Sequence, residues 1–241
     1  MPAARVRRRR PSLILALAAA LVAFGVACRA AAALPPPEQS IFPLELGQHW
    51  AYDTSFYGPN SQSTTTEVAV CRVRDSDQAG RVFLIATCAD GDLVQAQFVF
   101  GHGQEIVMPL IVNRSGDPRP RDPPEVIARF DMRVGQSWDW EGKIDDEEWQ
   151  SSYRVANRGR VMTPAGEFDA VRLMVADKSS GPPAIVERWY ASGVGLVKEA
   201  GTTFFPGQNG DPVPVELVRL LKEHSVVPVE QIACCGKVPN S

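Results

Sequence analysis

Trp50 and Tyr52 stand two residues apart, and so do Trp138 and Trp140. Residues i and i+2 of a strand share a face, so each pair projects to one side of its segment. Two rings on one face can stack on a sugar or an acyl chain, or they can fill a core. These four are the candidate ligand-binding residues. A second group is the cysteines Cys71, Cys88, Cys234 and Cys235, which follow Cys28. Four is an even number, and without a Cys-x-x-Cys the set reads as candidate disulfides outside the reducing cytosol, not as a redox centre. A symmetric turn over residues 75–80 places Cys71 opposite position 84. Cys88 then lies four residues further along, roughly 13 Å away at about 3.3 Å per residue. A disulfide spans much less. A Cys71–Cys88 bond therefore requires a bulge or another register, whereas pairing either cysteine with Cys234-Cys235 pins the C-terminal tail.

Other chemistry finds little support. His49, His102 and His224 are the only histidines, and none has a His partner at metal-binding spacing, so no metal site is expected. Neither a Gly-x-Ser-x-Gly elbow nor His-Glu-x-x-His occurs. Asp145-Asp146-Glu147-Glu148 offers oxygen ligands but lacks the spacing of a calcium loop, and reads as a solvated turn. Gly193-Val194-Gly195 precedes no helix that could present N–H groups to a phosphate. Thr163-Pro164-Ala165-Gly166 is a turn by the same argument. The expectation is a protein that is not an enzyme, with no catalytic residue and no cofactor.

Strands must position these side chains. Segments 64–74 and 81–88 alternate polar with apolar around a polar turn, and 93–100 pairs in the same way with 104–112. Segments 147–157, 167–176, 184–191, 195–205 and 215–222 have the same character. Residues 216–223 are the nearest helical candidate, yet Val215, Leu217, Arg219 and Leu221 alternate as a strand does. The chain also repeats. Leu46-Gly47-Gln48-His49-Trp50-Ala51-Tyr52 returns as Val134-Gly135-Gln136-Ser137-Trp138-Asp139-Trp140, an offset of 88, and two shorter matches succeed it at offsets of 86 and 90. The expected organisation is one β domain over 41–224. It comprises repeats at about 41–112 and 129–205, of about five strands each, and a final strand at 214–222. Between the repeats, residues 113–124 carry Pro118, Pro120, Pro123 and Pro124 and are expected to form a loop, since such a segment cannot pair as a central strand. The fold class is all-β: an antiparallel curved sheet or incomplete barrel of two similar halves, with a β-sandwich as the alternative. Residues 225–241 are expected to be a flexible tail carrying Cys234-Cys235.

The 241 residues are 44% hydrophobic and 22% charged, an ordinary globular balance. Arg5 and Arg7 to Arg10 precede an apolar stretch from Ser12 to Ala27, shorter than the roughly 20 residues of a transmembrane helix. This is the pattern of an export signal over 1–27. Removing its five arginines leaves 20 basic against 28 acidic side chains, a net charge of −8. So acidic a chain does not suit nucleic acid or an anionic lipid surface as electrostatic partners. Gly25-Val26-Ala27-Cys28 resembles the lipobox of bacterial lipoproteins, departing from it at Gly25, where that family carries an aliphatic residue. The resemblance implies lipidation at Cys28. An Ala-x-Ala cleavage within Ala30 to Ala33 is the competing reading and gives a soluble secreted or periplasmic protein. An uncleaved signal anchor is the third. Residues 28–40, with Pro35, Pro36 and Pro37, read as an extended tether.

Pro43-Leu44 through Gly47, Trp50 and Tyr52 resemble the opening of a broad set of exported bacterial proteins of unknown function. Thr163-Pro164-Ala165-Gly166-Glu167-Phe168-Asp169-Ala170 and Trp189-Tyr190-Ala191-Ser192-Gly193-Val194-Gly195-Leu196-Val197-Lys198 are similar to later motifs of that set. At fold level the set resembles the open β-barrels of periplasmic lipoprotein carriers, which hold acyl chains in a concave face. The resemblance implies an extracytoplasmic, membrane-anchored binding protein for an apolar ligand such as a lipid or acyl chain. The alternative is a non-catalytic structural module of the cell envelope with a protein partner there.

Overall fold

The computed structural model describes residues 40–59, 61–77, 80–179, 181–206 and 211–238. The export signal at 1–27, Cys28 and the tether through residue 39 lie outside these residues. Strands form where side chains alternate between the interior and the outside of the sheet. In Gln48–Tyr57 the side chains of Gln48, Trp50, Tyr52 and Thr54 are buried while their neighbours are more exposed. Among the described residues twelve strands succeed one another. These are β1 Gln48–Tyr57, β2 Gln62–Ser76, β3 Gly80–Ala89, β4 Asp92–His102, β5 Glu105–Asn113 and β6 Pro118–Arg129, then β7 Ser137–Ile144, β8 Glu147–Thr163, β9 Gly166–Lys178, β10 Ala184–Ala191, β11 Gly195–Pro206 and β12 Pro212–Val226. Each pairs antiparallel with its sequence neighbours, and β1 pairs with β12. The sheet is therefore an antiparallel barrel, as the leading expectation has it, with its edges closed, and not the alternative sandwich. Closure removes both unpaired edges of the sheet.

The proline-rich stretch forms a strand where a loop was expected. Pro118 and Pro120 lie opposite Val112 and Leu110 of β5. On its other side β6 meets β7 only at Arg121↔Ile144 and Asp122↔Lys143. Proline lacks an N–H and is tolerated in a strand that behaves as an edge. With so short a ladder to β7, β6 behaves as one. The final strand is also longer than the expected 214–222, running from Pro212 to Val226.

The strands β1 and β7 begin alike. Gly47 (φ 82°) donates its N–H to the Val70 carbonyl at 3.0 Å, and Gly135 (φ 93°) donates to the Val155 carbonyl at 2.9 Å. Each acceptor precedes a bulge in the following strand, between Val70 and Arg72 and between Val155 and Asn157. A Cβ on Gly47 would lie 2.2 Å from the Val227 oxygen, so no larger residue fits there.

Residues 225–238, part of the expected flexible tail, pack against the barrel. Ser225 and Val226 complete β12, and 3-10 turns come after it at Val229–Gln231 and Ala233–Lys237. Strand β3 shows why they pack. It is buried without interruption from Phe83 to Cys88. Phe83 and Ile85 join the interior core, whereas Leu84, Ala86 and Cys88 face outward beneath Ile232, Cys234, Cys235 and Val238. An outward apolar stripe would otherwise meet water, and the chain end covers it. Disulfides Cys71–Cys235 and Cys88–Cys234 hold the cover in place. Cys71 and Cys88 are not bonded to each other. Cys88 lies opposite Glu67, several residues along β2 from Cys71.

Candidate functional site

The interior of the barrel holds a cavity of about 380 Å³ to which every strand contributes. Its lining divides by chemistry. Val68, Ile85, Met108, Ile111, Ile127 and Ile144, from β2, β3, β5, β6 and β7, are apolar, and Thr87, Gln95 and Gln97 of β3 and β4 set neutral polar groups among them. Glu199, Arg188 and Arg219, from β11, β10 and β12, are charged, as are Arg121 and Glu125 of β6 and Asp177 of β9. The alternation of β12 delivers Arg219 to the interior, since Leu217 and Leu221 on either side are buried.

The charges are arranged in pairs. Glu199 accepts from Arg188 Nε at 2.8 Å and contacts Arg219 Nη1 at 3.1 Å. Burial opposes ionisation of Glu199, but the two guanidiniums outweigh it and hold the carboxyl below the usual glutamate range. Burial likewise works against the charge of Arg188, and the Glu199 carboxylate overrides it and raises the guanidinium's value. Glu125 accepts from the Tyr153 hydroxyl at 2.6 Å and lies 2.9 Å from Arg121 Nε. Burial, then the nearby Glu125 charge, pushes the Tyr153 phenol up. Tyr52 and Tyr190 are raised by burial first, so both phenols stay neutral. Among the described residues no three His, Cys, Asp or Glu side chains are placed to hold a metal ion.

The two aromatic pairs of the sequence go to different work. Trp50 and Tyr52 line the cavity. The Trp50 indole N–H donates to the Val194 carbonyl, and the Tyr52 hydroxyl donates to the Leu196 carbonyl at 3.0 Å. Val194 lies in the turn between β10 and β11, and Leu196 in the first residues of β11. Gly195 (φ 95°) lets that turn approach, because a Cβ there would meet Pro43 at 3.3 Å and the Trp50 indole at 3.4 Å. Trp138 and Trp140 do not line the cavity. Their indole N–H groups donate to the carbonyls of Val126 and Pro123, both at 2.9 Å, across the short ladder between β6 and β7. Trp138 also stacks on Tyr153, with centroids 5.1 Å apart and planes 6° from parallel. The charged wall is what sequence reasoning missed. Its signal was present in Arg219, a charge on the apolar face of an alternating strand, but its partner Glu199 lies on a separate strand.

One end of the barrel is filled. The β8–β9 hairpin bends across it, with Ala165 donating its N–H to the Leu221 carbonyl at 3.0 Å, and Val161 and Ala170 join the core that includes Trp50 and Leu221. The Thr163 hydroxyl accepts from the Ala165 N–H at 3.1 Å, which shapes the hairpin tip. Phe42 and Pro43, ahead of β1, complete the cavity wall at this end. The Thr163-Pro164-Ala165-Gly166 and Gly193-Val194-Gly195 motifs are thus both turns that seat interior side chains.

No protein-family model and no curated protein matches the chain. Three solved structures do, with low identity. A candidate lipoprotein from Parabacteroides distasonis shares 14% identity at a TM-score of 0.44, over 78% of this chain and 99% of that one. A candidate exported protein of YmcC-like fold from Bacteroides fragilis shares 12% at 0.42, over 78% and 99%. The hypothetical lipoprotein YmcC from Escherichia coli shares 14% at 0.30, over 92% and 100%.

Proposed function

We propose that this chain is an extracytoplasmic binding protein, anchored at the membrane through a lipid on Cys28, whose barrel interior takes a small amphipathic ligand. The observation that carries the reading is the cavity of about 380 Å³, whose lining combines apolar side chains with neutral polar and charged ones. Its volume falls in the ordinary range for small-molecule sites, about 300–1,000 Å³. The mixed lining alters the ligand expected from sequence: a wholly apolar molecule would leave the polar and charged side chains without polar company, and an amphiphile suits both kinds of group. Two disulfides support a location outside the reducing cytosol, where such bonds persist. The matching starts of β1 and β7 at Gly47 and Gly135 support the internal repeat. The protein is read as a binder and not an enzyme, because Glu199 is held ionised by two guanidiniums and is a poor proton acceptor.

A second reading, a structural or interaction module of the envelope, is favoured by one observation. The N–H or O–H of all four candidate aromatic residues already bonds to backbone. Native mass spectrometry of protein purified from its envelope separates the two. A co-purifying amphiphile and saturable tryptophan quenching on titration support the binder. A clean apo mass with unchanged fluorescence supports the structural module. Loss of membrane fractionation in Cys28→Ala, with export intact, is the expected sign of the lipid anchor, and unchanged partitioning would remove it from the proposal.

A further inference from the structure

Five polar side chains of the cavity lining are not used by the fold. Thr87, Gln95, Gln97, Ser151 and Asp177 make no hydrogen bond or ion pair among the described residues. Their polar atoms are not enclosed by protein either, unlike Trp149 Nε1, Arg121 Nε and Arg219 Nε, which are shut away from the cavity. These five therefore meet the cavity with their hydrogen-bonding capacity unspent. Strand alternation brings them there. Thr87 succeeds Phe83 and Ile85 on the inner face of β3, and Gln95 and Gln97 share the inner face of β4. Thr87 lies directly opposite Gln95, and Ser151 of β8 directly opposite Asp177 of β9. Both pairs stand near turns at the barrel end away from the one that the β8–β9 hairpin fills.

What these groups offer decides what they take. Thr and Ser hydroxyls and Gln amides both donate and accept, and a carboxylate only accepts. The arginines of the lining are already occupied: Arg188 and Arg219 share Glu199, and Arg121 lies 2.9 Å from Glu125. A carboxylate ligand therefore finds no free cation and meets Asp177 as a like charge. An ammonium ligand adds a fourth cation to a lining in which three arginines already balance Glu125, Asp177 and Glu199, and it loses its water in doing so. A ketone or ester oxygen only accepts, and leaves Asp177 and the glutamine oxygens without a donor. A hydroxyl does both and carries no charge, and two adjacent hydroxyls reach more than one of the five side chains at once. Val68, Ile85, Met108 and Ile127 line the same cavity and suit an alkyl chain. The cavity holds roughly a dozen non-hydrogen atoms, at about 30 Å³ each by analogy with liquid water, so the chain is short.

Resting on the binding reading above, we propose that the ligand is a small neutral amphiphile with a hydroxylated head. Its hydroxyls are held by Thr87, Gln95, Gln97, Ser151 and Asp177, and its alkyl chain lies against Val68, Ile85, Met108 and Ile127. The test is isothermal titration of the intact protein with four probes of one chain length: 1,2-octanediol, 2-octanone, octanoate and octylamine. Each has about ten non-hydrogen atoms and so stays within the capacity of the cavity. The expected result is that the diol binds at least about fivefold more tightly than any of the other three, the worth of about 1 kcal/mol. Gln95→Leu is expected to weaken the diol about fivefold, as the loss of one hydrogen bond does, with an unchanged melting temperature. Asp177→Asn is expected to weaken the diol and to strengthen octanoate, because the like charge is gone while the side chain keeps its shape. Binding of the ketone, octanoate or octylamine as tight as that of the diol overturns this inference and leaves the binding reading standing. Binding of none of the four overturns both. A diol affinity insensitive to Gln95→Leu and to Asp177→Asn alike overturns the placement of the head.

Discussion

The barrel closes on itself at one junction and changes halves at another, and the two are held by different means. At the first, β1 and β12 pair along the whole of β1, from Gln48↔Val226 to Tyr57↔Glu216. The chain beyond β12 then crosses to β2–β4 and is bonded there through Cys71–Cys235 and Cys88–Cys234. Backbone ladder and covalent links thus act together, the ladder on β1 and the links on β2 and β3. At the second, β6 and β7 share two register pairs. Two indoles, Trp138 and Trp140, bridge the remainder by donating to β6 carbonyls, with Arg129 and Arg121 5.0 and 5.9 Å from their ring centres. A strand carrying four prolines cannot offer a full set of N–H donors, so side chains supply them. A sheet can therefore be closed by main chain in one place and by side chains in another, and the second kind depends on few atoms.

The largest effect is expected from removing the covalent links at the first junction. Cys71–Cys235 closes a loop with a sequence separation of 164, and a loop that long is worth about 4.7 kcal/mol or more in unfolded-state entropy. The second bond adds less, because the path from Cys71 to Cys88 is short once the first has formed. Reduction of both is expected to lower stability by about 5 kcal/mol, measured as a shift in denaturant midpoint with and without reductant. Full retention of stability under reduction would mean that the ladder alone holds this junction.

Next comes the charged wall beside the first junction, where Glu199 ties β10 to β12. Glu199→Gln leaves Arg188 and Arg219 without a counter-charge and is expected to cost about 3 kcal/mol. Its pH dependence has a definite sign. The carboxyl titrates lower in the folded protein than in the unfolded chain. Its contribution is therefore complete above the ordinary glutamate range and is lost as pH falls through the folded value, below about 4.3. Comparing the stability of wild type and Glu199→Gln between pH 7 and pH 3 should show the difference shrinking as pH falls. A difference that stays constant would assign the loss to something other than this charge.

The second junction is expected to yield to smaller changes. A Cβ at Gly142 would lie 2.6 Å from the Asp122 oxygen and 2.7 Å from the Trp140 ring. Gly142→Ala is expected to cost about 2 kcal/mol by forcing β6 from β7, with faster amide exchange confined to those strands. Trp138→Phe and Trp140→Phe keep an aromatic ring but lose the N–H, and each is expected to cost about 1 kcal/mol. Double substitution that leaves β6–β7 exchange unchanged would show that the indoles fill space there without bridging the strands.

The local pattern was sufficient for strand content and for much of the wall. Trp50 and Tyr52, or Leu217, Arg219 and Leu221, alternate at period two, and the pleat alone sends them to one face. The turns at Gly47, Gly135 and Gly195 were also legible, because a positive φ selects glycine. The spacing of Cys71 and Cys88 argued against their direct bond without any coordinates. Three matters were decided only by the tertiary structure. The prolines of β6 argue locally for a loop, and whether they pair depends on how little β7 asks of them. The tail carries no periodic signal, and its place is set by the outward apolar stripe Leu84, Ala86 and Cys88, which it covers. The charged part of the cavity lining joins residues as distant in sequence as Arg121 and Arg219. Their proximity comes from barrel closure, a long-range event that no window of sequence contains.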